Sequence, residues 1–167
     1  LVCATQPVRK TRGIHWCYET GLHIPLIIAW PKNFPAPPQI KAGTENGEVV
    51  SLLDLTATTL WAAGVPRPLL MQSRLLLGDS ADPPRKYAFS ARDRIDETVN
   101  RIRSVRESRY HYIRNYMPEQ GFASLNRYKE KCFLVIPLMR DLHAQGKLTG
   151  PPADLMKLLP PEQLFDT

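Results

Sequence analysis

Hydrophobic residues in this chain fall into short blocks separated by prolines and charges. The clearest block is Leu26-Ile27-Ile28-Ala29-Trp30, framed by Pro25 and Pro31. Apolar residues rich in β-branched types, with no polar alternation, predict a strand buried on both faces of a layered α/β sheet. Tyr18, Glu19, Thr20 and His23 come just before it, around Gly21, where a loop on a rigid scaffold can carry a site.

Downstream, residues 32–47 are rich in proline, glycine and polar side chains and predict a surface loop. A helix follows. Ser51 caps it with Asp54 in the first turn, Leu52, Leu55, Leu60 and Trp61 form its apolar face, and Gly64 with Pro66 ends it. Capping and dipole compensation account for Asp54 without any chemistry. Residues 65–85 read as a connection, its polar stretch 79–86 linking two units: 1–78 and 79–167.

Tyr87–Ala91 predicts a strand, and the mixed charges Arg92, Asp93, Arg94, Asp96, Glu97 and Arg101 predict a solvated loop after it. Two period-2 runs, IRSVR and RYHYIRN, flank Glu107-Ser108 and predict a β-hairpin. Tyr110, Tyr112 and Tyr116 alternate there with basic residues; cross-strand packing explains the pattern more economically than base stacking. Residues 124–145 carry Tyr128, Cys132, Val135, Met139 and Leu142 at helical spacing, with Pro137 expected to kink or split the helix. A short helix is expected within 152–159.

Composition narrows the partners. With 167 residues, 43% hydrophobic and 23% charged, the chain can build an ordinary core. Its 22 basic against 16 acidic residues give a net charge of +6, which favours anionic partners. No apolar run approaches the roughly 20 residues that span a bilayer, and no nucleic-acid motif accompanies the basic residues. Cys3, Cys17 and Cys132 form no CxxC pair, so their spacing suggests neither a zinc site nor a disulfide framework.

The stretch YETGLHIPLIIAWP (18–31) resembles a segment of the type I sulfatases, members of the alkaline-phosphatase-like superfamily. The likeness continues through SLLDLTATTLWAAGVP (51–66), YAFSARDRIDETVNRIRSVR (87–106), RYHYIRNYMPE (109–119) and PPEQLFD (160–166). It covers only the rear part of such an enzyme. The resemblance therefore implies a fragment of that α/β fold, α+β in its C-terminal part: the last portion of the catalytic-domain sheet, then a small antiparallel-sheet-and-helix subdomain. A final strand would lie beyond LFDT.

For function, the resemblance implies hydrolysis of sulfate esters or sulfamates, with a sulfated small molecule or glycan as substrate and the missing N-terminal part of the same protein as partner. It also implies a formylglycine nucleophile made within a Cys/Ser-x-Pro-x-Arg motif, which this chain does not contain, and a Ca2+ ion. The family's metal-binding pair falls on Thr5 and Gln6, neither of which is an anionic oxygen ligand, and its sulfate-contacting lysine falls on Ile14. Alone, this segment is expected to be inactive. Candidate substrate contacts are His15, His23, Arg92, Arg94, Asp96 and Glu97: the arginines grip an oxyanion bidentately and the carboxylates accept sugar hydroxyl protons. A phosphate or phosphonate ester hydrolase of the same superfamily and a non-catalytic polyanion-binding module are the alternatives. Export to the periplasm or outside the cell follows the family.

Overall fold

The computed structural model describes residues 2–3, 16–124 and 126–167. Thr5, Gln6, Ile14, His15 and the basic loop ahead of Gly13 lie outside them. In chain order the first elements are β1 (Val2–Cys3), α1 (Glu19–Leu22), β2 (Leu26–Ile27) and α2 (Asp54–Ala62). They are followed by β3 (Ala88–Ile95), β4 (Thr98–Arg106), β5 (Tyr110–Asn115), α3 (Arg127–Cys132), α4 (Val135–Ala144), α5 (Pro151–Asp154) and β6 (Glu162–Asp166). Four strands form an antiparallel sheet in the order β3-β4-β5-β6, and β1 pairs with β2 separately. The fold is thus mixed α and β, with the antiparallel sheet and helices expected of the C-terminal part.

Several local expectations are corrected. The apolar run 26–30 contributes a strand of only two residues, paired Val2 to Ile27 and Cys3 to Leu26, and Ile27 is exposed. Composition identifies a strand but not what covers it, and no second layer closes over this one among the described residues. The charged segment 92–97 is no loop: β3 runs on to Ile95, and a two-residue turn at Asp96-Glu97 leads into β4, with Ile95 opposite Thr98. Asp96 takes φ of 49°, a left-handed position that Asp tolerates better than most residues. A register shift between Arg92 and Arg94 absorbs the odd residue.

The hairpin at Glu107-Ser108 forms as β4 and β5, with Val105 opposite Tyr112. Tyr112 in turn faces Leu164 of β6, so Leu164–Asp166 lie within a fourth strand of this sheet. On this outer face the guanidinium groups of Arg109 and Arg114 stand 5.0 Å from the rings of Tyr110 and Tyr116. The predicted long helix is two helices that break at Phe133-Leu134, ahead of Pro137. Pro137 sits in the first turn of α4, where the missing N–H has no helical partner to lose. α5 is short, as expected.

The inner face of the sheet carries the core. Ile102 and Ile113 pack with Trp16, Cys17, Tyr18 and Leu159, and Leu22, Phe122 and Phe165 close the rim. The phenolic oxygen of Tyr18 accepts from Gln163 at 2.8 Å. The stretch at 16–22 is therefore buried against the antiparallel sheet, which fixes the chemistry-bearing residues that follow.

α2 buries a face other than the predicted one. Asp54, Ala57 and Thr58 face inward, while Leu52 and Leu53 are exposed. The cause is Asp54, which is fully buried. It accepts the Ser51 backbone N–H at 3.0 Å and the Arg74 backbone N–H at 2.8 Å; the predicted Ser51 cap is not formed, since the capping position is Leu53 and no side chain caps the helix. Arg85 clamps the same carboxylate with two bonds of 2.7 and 2.5 Å. Burial pushes this carboxyl up, but the donors from Arg85, Arg74 and Ser51 outweigh it and hold the group below the usual carboxylate range. Connection 65–85 contains no helix or strand; Arg67 to Asp82 at 2.6 Å and the Leu75 N–H to Asp82 at 2.7 Å brace it.

Candidate functional site

Two clusters of polar side chains rise from this framework. The first is centred on Glu19, at the start of α1. Its carboxylate lies 3.0 Å from Nδ1 of His111 and 2.9 Å from Nε of Arg106, both on the inner face at the far end of the central hairpin. His111 is fully buried. The nearby His111 lowers the Glu19 carboxyl against the upward push of burial, and Arg106 lowers it further. His23 approaches the other carboxylate oxygen at 3.5 Å and is largely exposed. His23 thus shares Glu19 with two sheet residues. Sequence reasoning passed over His111 because it stands in an ordinary strand repeat; its inward phase opposite Phe165 was the available signal.

The second cluster surrounds the β3–β4 turn and gathers four of the six candidate contacts. Arg92 is buried, its guanidinium 4.0 Å from the Trp16 ring, a cation–π contact inside the fold. Arg94 is exposed on the same strand, and its Nε donates to the backbone oxygen of Asp96 at 2.9 Å. Asp96 accepts from the Asn126 amide at 3.0 Å, and Glu97 accepts the Arg127 backbone N–H at 2.6 Å. Both carboxylates therefore tie the turn to the start of α3, and each keeps further lone pairs for a ligand. His23 belongs to the Glu19 cluster instead, and His15 lies outside the described residues.

A cavity of about 650 Å3 opens beside this turn. Asp96, Asn126 and Lys129 are among its lining, with Trp16, Ile95, Tyr128, Phe133 and further aromatic and aliphatic side chains from the loop 122–123, α4 and residues 155–156. Lys129 is held below the usual lysine range, first by burial and then by the nearby Arg92 charge. Sequence reading did not single out Lys129, because a lysine in a KEK run on a short helix looks solvated.

A calcium site does not emerge from these residues. The half-buried Glu19 and the buried Asp54 carboxylates face arginine, histidine and N–H donors, the wrong partners for a hard cation's ligand. Among the described residues no group of three His, Cys, Asp or Glu side chains is placed to hold a metal ion. Cys17 is a buried free thiol, pushed up by burial and partly offset by Arg92, and Cys132 is exposed and free.

Comparison with known proteins agrees with this architecture. Residues 13–131 match the family described as N-sulphoglucosamine sulphohydrolase, C-terminal. The chain is also 35% identical, over 150 residues, to an ulvan-active sulfatase of Formosa agariphila; the match takes in 89% of this chain and 24% of that protein. The chain spans about a quarter of the length of this relative. The matched region includes the Glu19 cluster, α2 and the β3–β4 turn with its neighbours on α3. The chain belongs to the N-sulphoglucosamine sulphohydrolase C-terminal family and is similar to the corresponding part of a sulfatase.

Proposed function

We propose that the whole protein hydrolyses sulfate esters or sulfamates of a sulfated carbohydrate, and that this region supplies substrate contacts and not the nucleophile. The observation that carries the reading is the 35% identity to a sulfatase over 89% of this chain. Arg94 and His23 are its exposed nitrogen-bearing side chains among the candidates, and we assign them to the anionic substrate. Arg94 suits a bidentate grip on a sulfate or carboxylate. Asp96 and Glu97 take sugar hydroxyls on their remaining lone pairs, while Arg92, stacked on Trp16, adds positive potential from behind. His15 is kept as a contact of the same substrate.

In this reading formylglycine and Ca2+ belong to another part of the protein, and the residues here bind and orient. The proposed division places residues 1–78 with the catalytic domain and 79–167 in a C-terminal subdomain. The family points to a periplasmic or secreted location; no helix among the described residues is long and apolar enough to cross a membrane.

The test is sulfate release by the full-length protein from a chromogenic aryl sulfate and from a sulfated oligosaccharide. Sulfate release supports the proposal. Turnover of an aryl phosphate or phosphonate in its place moves the protein to the related phosphoryl hydrolases. Salt-dependent retention on heparin with no hydrolysis leaves only polyanion binding.

A further inference from the structure

Two hollows of different chemistry flank the β3–β4 turn. Asp96 lines the largely apolar cavity, whereas Glu97 lines an open groove of about 690 Å3. Glu119, Gln120 and Ser124 add polar groups to this groove, and the exposed side chains of Val99 and Leu158 add apolar surface. Glu97 accepts the Arg127 backbone N–H and lies within reach of the Arg127 charge, yet its carboxylate keeps further lone pairs. Among the described residues the side chains of Glu119, Gln120 and Ser124 make no hydrogen bond or ion pair. Arg140, the cation of the lining, is committed to Glu130 and to the Ala123 carbonyl. A sugar suits such a surface, because it offers hydroxyls at its edge and C–H groups on its faces. A sulfate placed there would meet two carboxylates and no uncommitted cation of the lining.

We infer that this groove holds the unsulfated sugar unit next to the sulfated one, with Glu97, Glu119 and Gln120 as its hydroxyl partners, so that the substrate is a carbohydrate chain and not a lone sulfated sugar. This deepens the sulfatase reading and rests on it. The groove adjoins the anion contact assigned there: Arg94 donates from Nε to the Asp96 carbonyl at 2.9 Å, which sets its guanidinium at the turn whose next residue is Glu97. A substrate gripped at Arg94 therefore continues across the turn into the groove. The far rim is the single 3-10 turn Pro118–Gln120. It is held in place because the Met117 N–H donates to Oδ1 of the buried Asn115 at 3.1 Å and the Pro118 carbonyl accepts the Leu159 N–H at 3.3 Å. Glu119 and Gln120 are thus presented from a fixed backbone, which limits the ordering cost of binding.

The test compares kcat/KM for sulfate release by the full-length protein from a sulfated monosaccharide and from di- and trisaccharides that carry a single sulfate. The longer substrates are expected to exceed the monosaccharide by about tenfold. Glu119→Ala and Gln120→Ala are each expected to lower that ratio about threefold, and the double variant about tenfold, as hydroxyl partners are lost. Thermal denaturation checks that each variant is folded, and the single variants carry the test if the double one is not. A second sulfate on the neighbouring unit is expected to abolish the preference; a preference that survives it overturns the assignment of an unsulfated unit. A ratio near one, or a ratio unchanged in the folded variants, overturns the inference while the sulfatase reading stands. No sulfate release from any of these carbohydrates overturns that reading and the inference with it.

Discussion

The Glu19 carboxylate lies 3.0 Å from Nδ1 of the fully buried His111, so that a residue on a short helix is joined to the turn end of the β4–β5 hairpin. Arg106 shares the same oxygen at 2.9 Å. The pair decides where His23 stands, because His23 follows from the helix that Glu19 opens.

Replacing Glu19 with Gln should therefore cost about 2 kcal/mol of stability at neutral pH, since the half-buried Arg106 loses its charged acceptor and the buried His111 loses the carboxylate beside it. The pH dependence has a definite sign. Glu19's carboxyl is depressed in the folded state, so its contribution is complete above the unfolded value of about 4.3 and is lost as pH falls through the folded one. Urea midpoints from pH 7 to pH 3 should show the gap between the two proteins closing at the acid end. A gap that stays constant would count against the pairing.

Asp54 offers a stronger case of the same kind. Asp54→Asn keeps the shape but removes the charge that Arg85 grips with two bonds, and about 3 kcal/mol should be lost. The depressed Asp54 carboxyl also stabilises the protein above about pH 4 and ceases to do so at lower pH. Thermal melts of the two proteins should converge in acid. Replacing Arg85 with Met should reproduce the loss at neutral pH, and the double variant should be less than additive.

Gly78 is irreplaceable for a different reason. Its φ is +96°, and an added Cβ would lie 2.6 Å from Cζ2 of Trp61. Gly43 has a similar φ of +74° with open space around it. Gly43→Ala should cost about 1 kcal/mol from backbone strain alone, and Gly78→Ala should exceed it by a further 1–2 kcal/mol or so as Trp61 is displaced. Denaturant unfolding of both, with near-ultraviolet dichroism for the tryptophan, measures the difference; equal losses would mean that the ring yields freely.

Arg94 is exposed and, among the described residues, its guanidinium bonds the neighbouring turn. In the proposed function it meets the substrate anion, so Arg94→Gln should raise KM for a sulfated oligosaccharide about tenfold while thermal stability is retained. Unchanged kinetics would remove Arg94 from the substrate contacts.

What could be read along the chain was whatever depends on near neighbours. Period-2 runs on both sides of Glu107-Ser108 specified a hairpin, and the Pro- and Gly-rich stretch at 32–47 specified irregular backbone. The β3–β4 turn escaped because charge was taken as a sign of loop, although the alternate residues Arg92 and Arg94 lie on a strand whose bulge lets one be buried and the other exposed. The split near Pro137 was legible from the proline, but its place at Phe133-Leu134 was not, because helical spacing is continuous across it. For the candidate site, the sequence supplied Arg94, Asp96 and Glu97 as a group, but not Lys129 or His111.

By itself the sequence determined the family, the strand pairing of the central hairpin and the basic character of the surface, since these follow from residue identity and local periodicity. Only the tertiary structure decided which polar groups go inside. Asp54 is buried because Arg74 and Arg85, 20 and 31 residues away, arrive with N–H donors. Glu19 finds Arg106 across a longer path of 87 residues, with His111 beside it. A buried charge is tolerated only where its partner stands, and that place is set by the course of the whole chain.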